Sequence, residues 1–368
     1  MSSLALITLA GMSFALALHA FVSYPLSLLA LRAWRGQRDE PVKWLRPLSP
    51  TRFAVCLYVN NETGLPRDTM QALCSLQASR PETQLLLGVD GEVAALGESL
   101  AAFSGRAQVH ASPIRRGKSH TMNMLALRTP ADVLVFANAG VALDDQLLDK
   151  LDMHFADRQV GCVCATVDAG PADGAALGYR RLDAWIQSLE TDTGSTMGAN
   201  GSLFAVRAAL YHPPPDHALH DMYVSLMVLC GGHRVVRARD LHVKPLPHGG
   251  GDTAFRTRRD IAYEALCVHR LMWSMLVRLD GFNLYKYVSH KLLRWFSVYL
   301  LAMALACTLL GEALAGHWLP VVALTAGTAL VWALGKRLRL PPFAQAFDAL
   351  SALGGTGLGA AKAWLRPH

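Results

Sequence analysis

Three apolar runs constrain this chain more than any other feature: Leu4 to Leu31, Phe296 to Ala315 and Trp318 to Leu334. A helix needs about 20 mostly apolar residues to cross a bilayer, and only a closed helix satisfies every backbone group in lipid. The first run is broken by no acidic or basic residue other than His19, and Pro25 is expected to kink it. The second carries Glu312 towards its far end, so the interval from Glu312 to His317 reads as a tight turn into the third. Composition agrees. Of 368 residues 52% are hydrophobic and only 17% charged, with a mean hydropathy of +0.24, too apolar for an ordinary soluble enzyme of this size.

Lys and Arg collect on the cytoplasmic side of a membrane, so their clusters predict orientation. Arg32, Arg35, Arg38, Lys43 and Arg46 follow the first run, Lys291 and Arg294 precede the second, and Lys336, Arg337 and Arg339 follow the third. If all three runs span, every cluster falls on one side. Residues 1–31 are then a transmembrane helix and 32–281 a cytosolic domain at the inner membrane. Residues 296–334 form a transmembrane hairpin. The first residues carry no positive side chain and the apolar stretch is too long for a cleaved signal, so an anchor is expected. Residues 282–295 mix Tyr285, Tyr287 and Trp295 with Lys286, Lys291 and Arg294, a pattern suited to a helix lying among lipid headgroups. Residues 335–368, rich in Gly and Ala, are expected to lie at the interface or re-enter the bilayer.

The net charge of +7 is concentrated at these edges, which points to anionic membrane lipids as partners and away from nucleic acid. Seven cysteines, odd in number and without a CxxC pair, fit a reducing compartment.

The middle of the chain alternates strand and helix patterns. Strands are expected at Phe53 to Val59, Gln84 to Val89, "AQVHAS", Asp132 to Ala137 and "VGCVCATV". Helices are expected at Arg67 to Ala78, His120 to Leu127 and Asp145 to Phe155. Such alternation predicts an α/β fold with a mainly parallel sheet covered on both faces. Ligands of open sheets sit at the carboxyl ends of strands, so Asn60, Asn61, Asp90 and Asn138 are expected to face one crevice.

In this order and spacing, "LYVNNETGLP", "LLLGVDGE", "RRGKSHTMNMLAL" and "DVLVFANAGV" resemble the nucleotide-binding half of family 2 glycosyltransferases. "MGANGSLFAVRAALY" and "HDMYVSLMVLCGGHRVV" resemble that family's acceptor-side and catalytic-base segments. "FRTRRDIAYEA" with "SHKLLRWFSVYLL" resembles its membrane-bound polysaccharide-synthase branch. The resemblance covers about Arg52 to Leu301 and implies a GT-A (nucleotide-diphospho-sugar transferase) fold. The implied activity is inverting transfer of a sugar, with UDP the expected nucleotide, to a polysaccharide or lipid-linked acceptor.

The resemblance places Asn61 and Glu62 at the base and ribose of the donor, where the residue types alone read equally as loop caps. Asp90 is a carboxylate at the end of an apolar strand, which is costly without a donor; a uracil or ribose would supply one. Lys118 follows Gly117 at the start of a helix, where it would address phosphate beside free N–H groups, although "RRGK" also reads as a solvated loop. Gly198, Asn200 and Gly201 belong to the implied acceptor side. Asp221 is the implied general base, taking the acceptor's proton; its bland reading is a helix cap. Arg258 and Arg259 stand where related synthases place cations near the leaving diphosphate, or else belong to a basic membrane-facing helix. The four histidine and aspartate positions His212, His217, His220 and Asp221 have poor zinc spacing. "HGGG" at 248–251 lacks a G-x-S-x-G partner, which excludes a serine hydrolase.

One departure stands out. Asn138-Ala139-Gly140 occupies the turn where family members hold a divalent cation with two aspartates. Mg2+ and Mn2+ prefer anionic oxygen ligands, so a metal site here is weakened or lost. Asp144 and Asp145, the nearest carboxylates in sequence, read as the cap of the next helix. Two readings follow: an active transferase that stabilises the diphosphate with Lys118, Arg258 and Arg259, or a degenerate transferase fold acting as a scaffold or binding subunit in membrane polysaccharide assembly. Asp90, Lys118, Asp221 and the Arg pair favour the first, the missing carboxylates the second.

Overall fold

The computed structural model describes residues 2–35, 51–60, 65–91, 105–168, 174–245 and 252–338. In chain order its elements begin with α1 (Ser3–His19), α2 (Ser23–Arg35), β1 (Phe53–Asn60), α3 (Arg67–Ser79), β2 (Gln84–Asp90), β3 (Gln108–Ser112) and α4 (Lys118–Ala126). There follow β4 (Val133–Asn138), β5 (Val141–Ala142), α5 (Leu147–Phe155), β6 (Val160–Val167), α6 (Gly174–Asp192), β7 (Leu203–Arg207) and α7 (His220–Cys230). The last elements are β8 (Arg234–Pro245), α8 (Asp252–Leu276), α9 (Gly281–Tyr287), α10 (Leu293–Leu314) and α11 (Trp318–Leu338).

The strands form one sheet in the order β3-β2-β1-β4-β7-β6-β8-β5. The first four are parallel, as the βα alternation predicts; β7 runs antiparallel between β4 and β6. Alternate residues of β1 point to opposite faces, and both faces are covered. Phe53, Val55, Leu57 and Val59 join Leu73 and Leu76 of α3 and Leu147 and Leu151 of α5. Ala54 and Cys56 join Met122 and Leu125 of α4, Val224 and Val228 of α7 and Val268 of α8. Cys162 and Cys164 are buried strand residues, and all seven cysteines are free thiols.

Three elements differ from expectation. The strand at Asn138 does not run directly into a helix: β5 intervenes and pairs antiparallel with the end of β8. The first apolar run bends by 50° between α1 and α2, at Ala20–Val22 and not at Pro25. Pro25 sits in the first turn of α2, where a missing N–H costs nothing. The segment 282–295 is not laid out flat with its charges in a headgroup layer. Lys286, Tyr287, His290 and Arg294 are buried against the domain, because α6 offers acceptors to Lys286, His290 and Arg294 and the Tyr287 hydroxyl meets His269 of α8.

Among the described residues no single helix is both long and apolar enough to cross a membrane; two bent pairs pass together, α1 with α2 and Gly281–Ser297 with Tyr299–Leu314. α1 packs along α10, with Leu6 and Ile7 against Gly311, while Leu4, Met12, Phe14, Tyr299, Leu301 and Leu310 remain exposed. Residues 339–368, and with them most of the expected C-terminal interfacial segment, lie outside the described residues.

Candidate active site

Asp90 ends β2 and accepts three hydrogen bonds: from Arg116 N at 2.9 Å, Gly117 N at 3.1 Å and the Tyr58 hydroxyl at 3.1 Å. The chain itself thus supplies the donors that the sequence reading assigned to a uracil or ribose. The consequence is local order: Asp90 ties down the loop that delivers Lys118 to the start of α4. Two carboxylate oxygens offer about four acceptor positions, so capacity for a further donor remains.

Lys118 does not point to solvent, as the "RRGK" loop reading would have it. It turns inward, and its Nζ donates to Gly201 O at 2.8 Å. Burial lowers its ammonium below the ordinary lysine range, opposed by the nearby charges of Asp221 and Glu264. Gly201 also presses on the candidate base. A Cβ at Gly201 would lie 3.0 Å from Asp221 Oδ1 and 3.1 Å from its Cγ. Asp221, in the first turn of α7, is only 8% exposed. It does not cap that helix: the N-cap is Leu219, without a side-chain bond. Burial raises its carboxyl above the usual range, with Lys118 and Lys291 pulling the other way.

The acceptor-side segment 197–202 is fastened at nearly every step. Met197 N donates to Glu190 Oε2 at 3.1 Å, Ala199 N to Ser225 Oγ at 2.9 Å and Ser202 N to Asn200 Oδ1 at 2.9 Å. Gly198 has φ 122°, a conformation other residues adopt only with strain. Asn138 N donates to Ser202 O at 3.2 Å, which joins the end of β4 to this segment. Asp90, Lys118, Asn138, Gly198, Asn200, Gly201 and Asp221 are thereby gathered at the carboxyl ends of β2 and β4. Asn61 and Glu62 lie outside the described residues. The chain at Arg258 and Arg259 is helical, within α8, while the placement of those two side chains lies outside what is described.

Three participants escaped the sequence reading. Ser225 and Glu190 belong to no motif singled out in the sequence, and Lys291 reads there as a membrane-edge charge. Ser225 meets Ala199, 26 residues away, and Lys291 meets Gly198 from still farther; Glu190 holds Met197 only seven residues on but is itself paired with His290, a hundred residues away.

The turn Asn138-Ala139-Gly140 is held from α3 by Thr69 Oγ1, which donates to Ala139 O at 2.9 Å and Val141 O at 3.2 Å. Asn138 Oδ1 is a buried acceptor with no hydrogen-bond partner among the described residues. It is also the turn's sole side-chain oxygen. Asp144 is engaged by Lys150 Nζ and by Gln146 N, at 2.9 Å for the latter; it does not cap α5, whose N-cap is Gln146 without a side-chain bond. Among the described residues no group of three His, Cys, Asp or Glu side chains is arranged to hold a metal ion. One neutral amide oxygen does not make a site for Mg2+ or Mn2+, which want several hard oxygens. The residues therefore do not fit a resident divalent cation at this turn.

No protein-family model matches the chain, and no curated protein matches it in sequence. Solved structures do. A mannosyltransferase from Pyrobaculum calidifontis, determined in complex with GDP-Man and Mn2+, superposes with a TM-score of 0.72 at 17% identity over 96% of this chain and 98% of its own. TarS 1-349 of S. aureus, also determined with UDP-GlcNAc, gives 0.50 at 12% identity over 72% of this chain and 83% of its own. The fold is therefore the GT-A fold that these two transferases share. At such identities the likeness establishes the architecture, and the chemistry has to be argued from this chain's own residues.

Proposed function

We propose that this chain is an inverting glycosyltransferase of the family 2, polysaccharide-synthase-like branch, moving a sugar from a nucleotide-sugar donor to a polysaccharide or lipid-linked acceptor at the cytoplasmic membrane. The observation that carries the reading is the packing of Asp221 against Gly201, with Lys118 bonded to the same glycine, at the strand ends where α/β sheets bind ligands. A buried carboxylate whose pKa is raised is suited to take a proton near neutral pH.

In this mechanism an acceptor hydroxyl approaches the anomeric carbon beside segment 198–201. Asp221 takes its proton as the new C–O bond forms and the bond from the sugar to the diphosphate breaks, the electron pair leaving with the nucleoside diphosphate. Lys118 favours the ionised, proton-accepting form of Asp221 electrostatically. Asn138 Oδ1, buried without a partner among the described residues, is an acceptor available to a donor hydroxyl. The similar structures were determined with GDP-Man and UDP-GlcNAc, which supports a nucleotide-sugar donor here; UDP is the nucleotide expected from the sequence resemblance. Association with lipid is supported by the exposed apolar side chains of α1 and α10. The scaffold reading keeps one specific support, the turn without carboxylates.

Full-length protein in lipid nanodiscs, titrated with a panel of UDP- and GDP-sugars and offered lipid and glycan acceptors, separates the two readings. Turnover is expected, and Asp221→Asn should lower it about a hundredfold or more while donor binding persists. The base works only when ionised, and burial raises its pKa. The rate should therefore fall as pH is lowered through a value above about 3.9, the ordinary aspartate value, and Asp221→Asn should abolish that limb. Donor binding with no turnover on any acceptor would instead support the scaffold.

A further inference from the structure

Lys291 lies in the turn Val288–Leu292 that joins α9 to α10. Its side chain reaches the acceptor segment. A Cβ at Gly198 would stand 3.4 Å from both Cε and Nζ of Lys291, and 3.8 Å from Ser225 Oγ. Ser225, one turn beyond the candidate base, donates to Asp221 O at 2.6 Å. Lys291 approaches segment 198–201 at Gly198 and Lys118 at Gly201, and both bear electrostatically on Asp221.

Its neighbours of like charge are engaged. Lys286 Nζ donates to Glu190 O at 2.9 Å and to Ser195 O at 3.1 Å, and Arg294 is paired with Asp183. Lys118 is bonded to Gly201 O. Lys291, half-buried, has no hydrogen-bond or ion-pair partner among the described residues. The carboxylates of Asp183 and Asp221 are within its electrostatic reach but neither is bonded to it, so an ammonium drawn partly out of water keeps its donors for an anion in the site. Two residues farther on, α10 begins, with Phe296, Tyr299 and Leu301 exposed, so this cation faces inward at the foot of an apolar helix.

We propose that Lys291 is a phosphate-binding residue of this site, taking either the departing diphosphate of the donor or the phosphate of a lipid phosphate acceptor. The proposal rests on the transferase reading above. It adds a cation where the turn at Asn138 supplies no metal carboxylates.

Calorimetry on the full chain in nanodiscs tests it with four probes: UDP, uridine, a short prenyl phosphate and the matching prenol. Lys291→Gln should weaken a phosphate-bearing probe about tenfold or more, the scale of one charge-assisted hydrogen bond, and leave uridine and prenol within twofold. Lys291→Arg should recover most of the loss. A loss confined to UDP assigns the donor diphosphate, and one confined to prenyl phosphate assigns the acceptor. Lys291→Met, which keeps the aliphatic stem, covers the case in which the glutamine variant does not fold. Equal affinities in wild type and variant, equal losses with and without phosphate, or a wild type that binds neither phosphate probe would each overturn the proposal. Lys291-dependent binding of prenyl phosphate by a protein that binds no nucleotide would uphold the site and remove the transferase reading.

Discussion

Gly201 puts a hydrogen where any other residue would put a carbon against the candidate base. Replacement by alanine brings a methyl to 3.0 Å from Asp221 Oδ1, so the carboxylate must give way by a few tenths of an ångström. Since a misplacement of about 1 Å costs on the order of a hundredfold in rate, Gly201→Ala should lower kcat about tenfold with donor affinity nearly unchanged. Steady-state kinetics checks this, and an unaltered kcat would mean that the carboxylate's position is immaterial. Asp90 and Lys118, which the resemblance assigns to the donor, each spend hydrogen bonds on the chain's own backbone.

At the scale of elements, α6 is the joint between the domain and the flanking helices. Its Glu190, fully buried, accepts from Thr196 Oγ1 at 2.9 Å and from Met197 N, at the entry to the acceptor segment. The other carboxylate oxygen meets the Tyr24 hydroxyl of α2 and lies 2.7 Å from His290 Nδ1. Asp192, at the end of α6, pairs with Arg32 of α2 at 3.2 Å and with Arg239 of β8 at 2.7 Å. Burial alone would push the Glu190 carboxyl up; His290 and the hydrogen bonds outweigh it and hold it down at about 2. A depressed folded pKa contributes stability that is complete above the unfolded value of 4.5 and is lost as pH falls towards 2. Glu190→Gln should therefore destabilise the protein by about 3–5 kcal/mol at pH 7, the cost of breaking a buried charged network. Denaturation curves at pH 7 and pH 3 should show that difference shrinking in acid; a constant difference would detach it from ionisation.

For the whole molecule, the apolar faces of α1, α10 and α11 and the basic residues beside them predict a chain anchored in the membrane, with Arg32 to Trp295 in the cytosol. A reporter fused after Arg46 should be active only in its cytosolic form. Activity of a reporter that works solely outside the membrane would reverse the topology.

Some of this was written locally in the chain. The short continuous apolar runs of β1, β2, β4 and β6 and the helices between them depend on side chains within a few residues, so strands and helices could be read directly, along with the parallel half of the sheet. Ordered motifs also placed Asp90, Lys118, Asn138 and Asp221 at one crevice. Long-range partners settled the rest. β7 and β8 are short or irregular as patterns and become strands through pairing with β4 and β6. The mixture of Tyr, Lys and Arg at 282–295 reads as amphipathic until α6 provides buried acceptors about a hundred residues away in sequence, as for His290 and Glu190. Lys291 becomes part of a site only because Gly198, with no side chain and a left-handed backbone, leaves room for its ammonium beside the candidate base. A pattern reports the neighbours a residue has in the chain, whereas the pairing of buried charges depends on neighbours that only packing brings together.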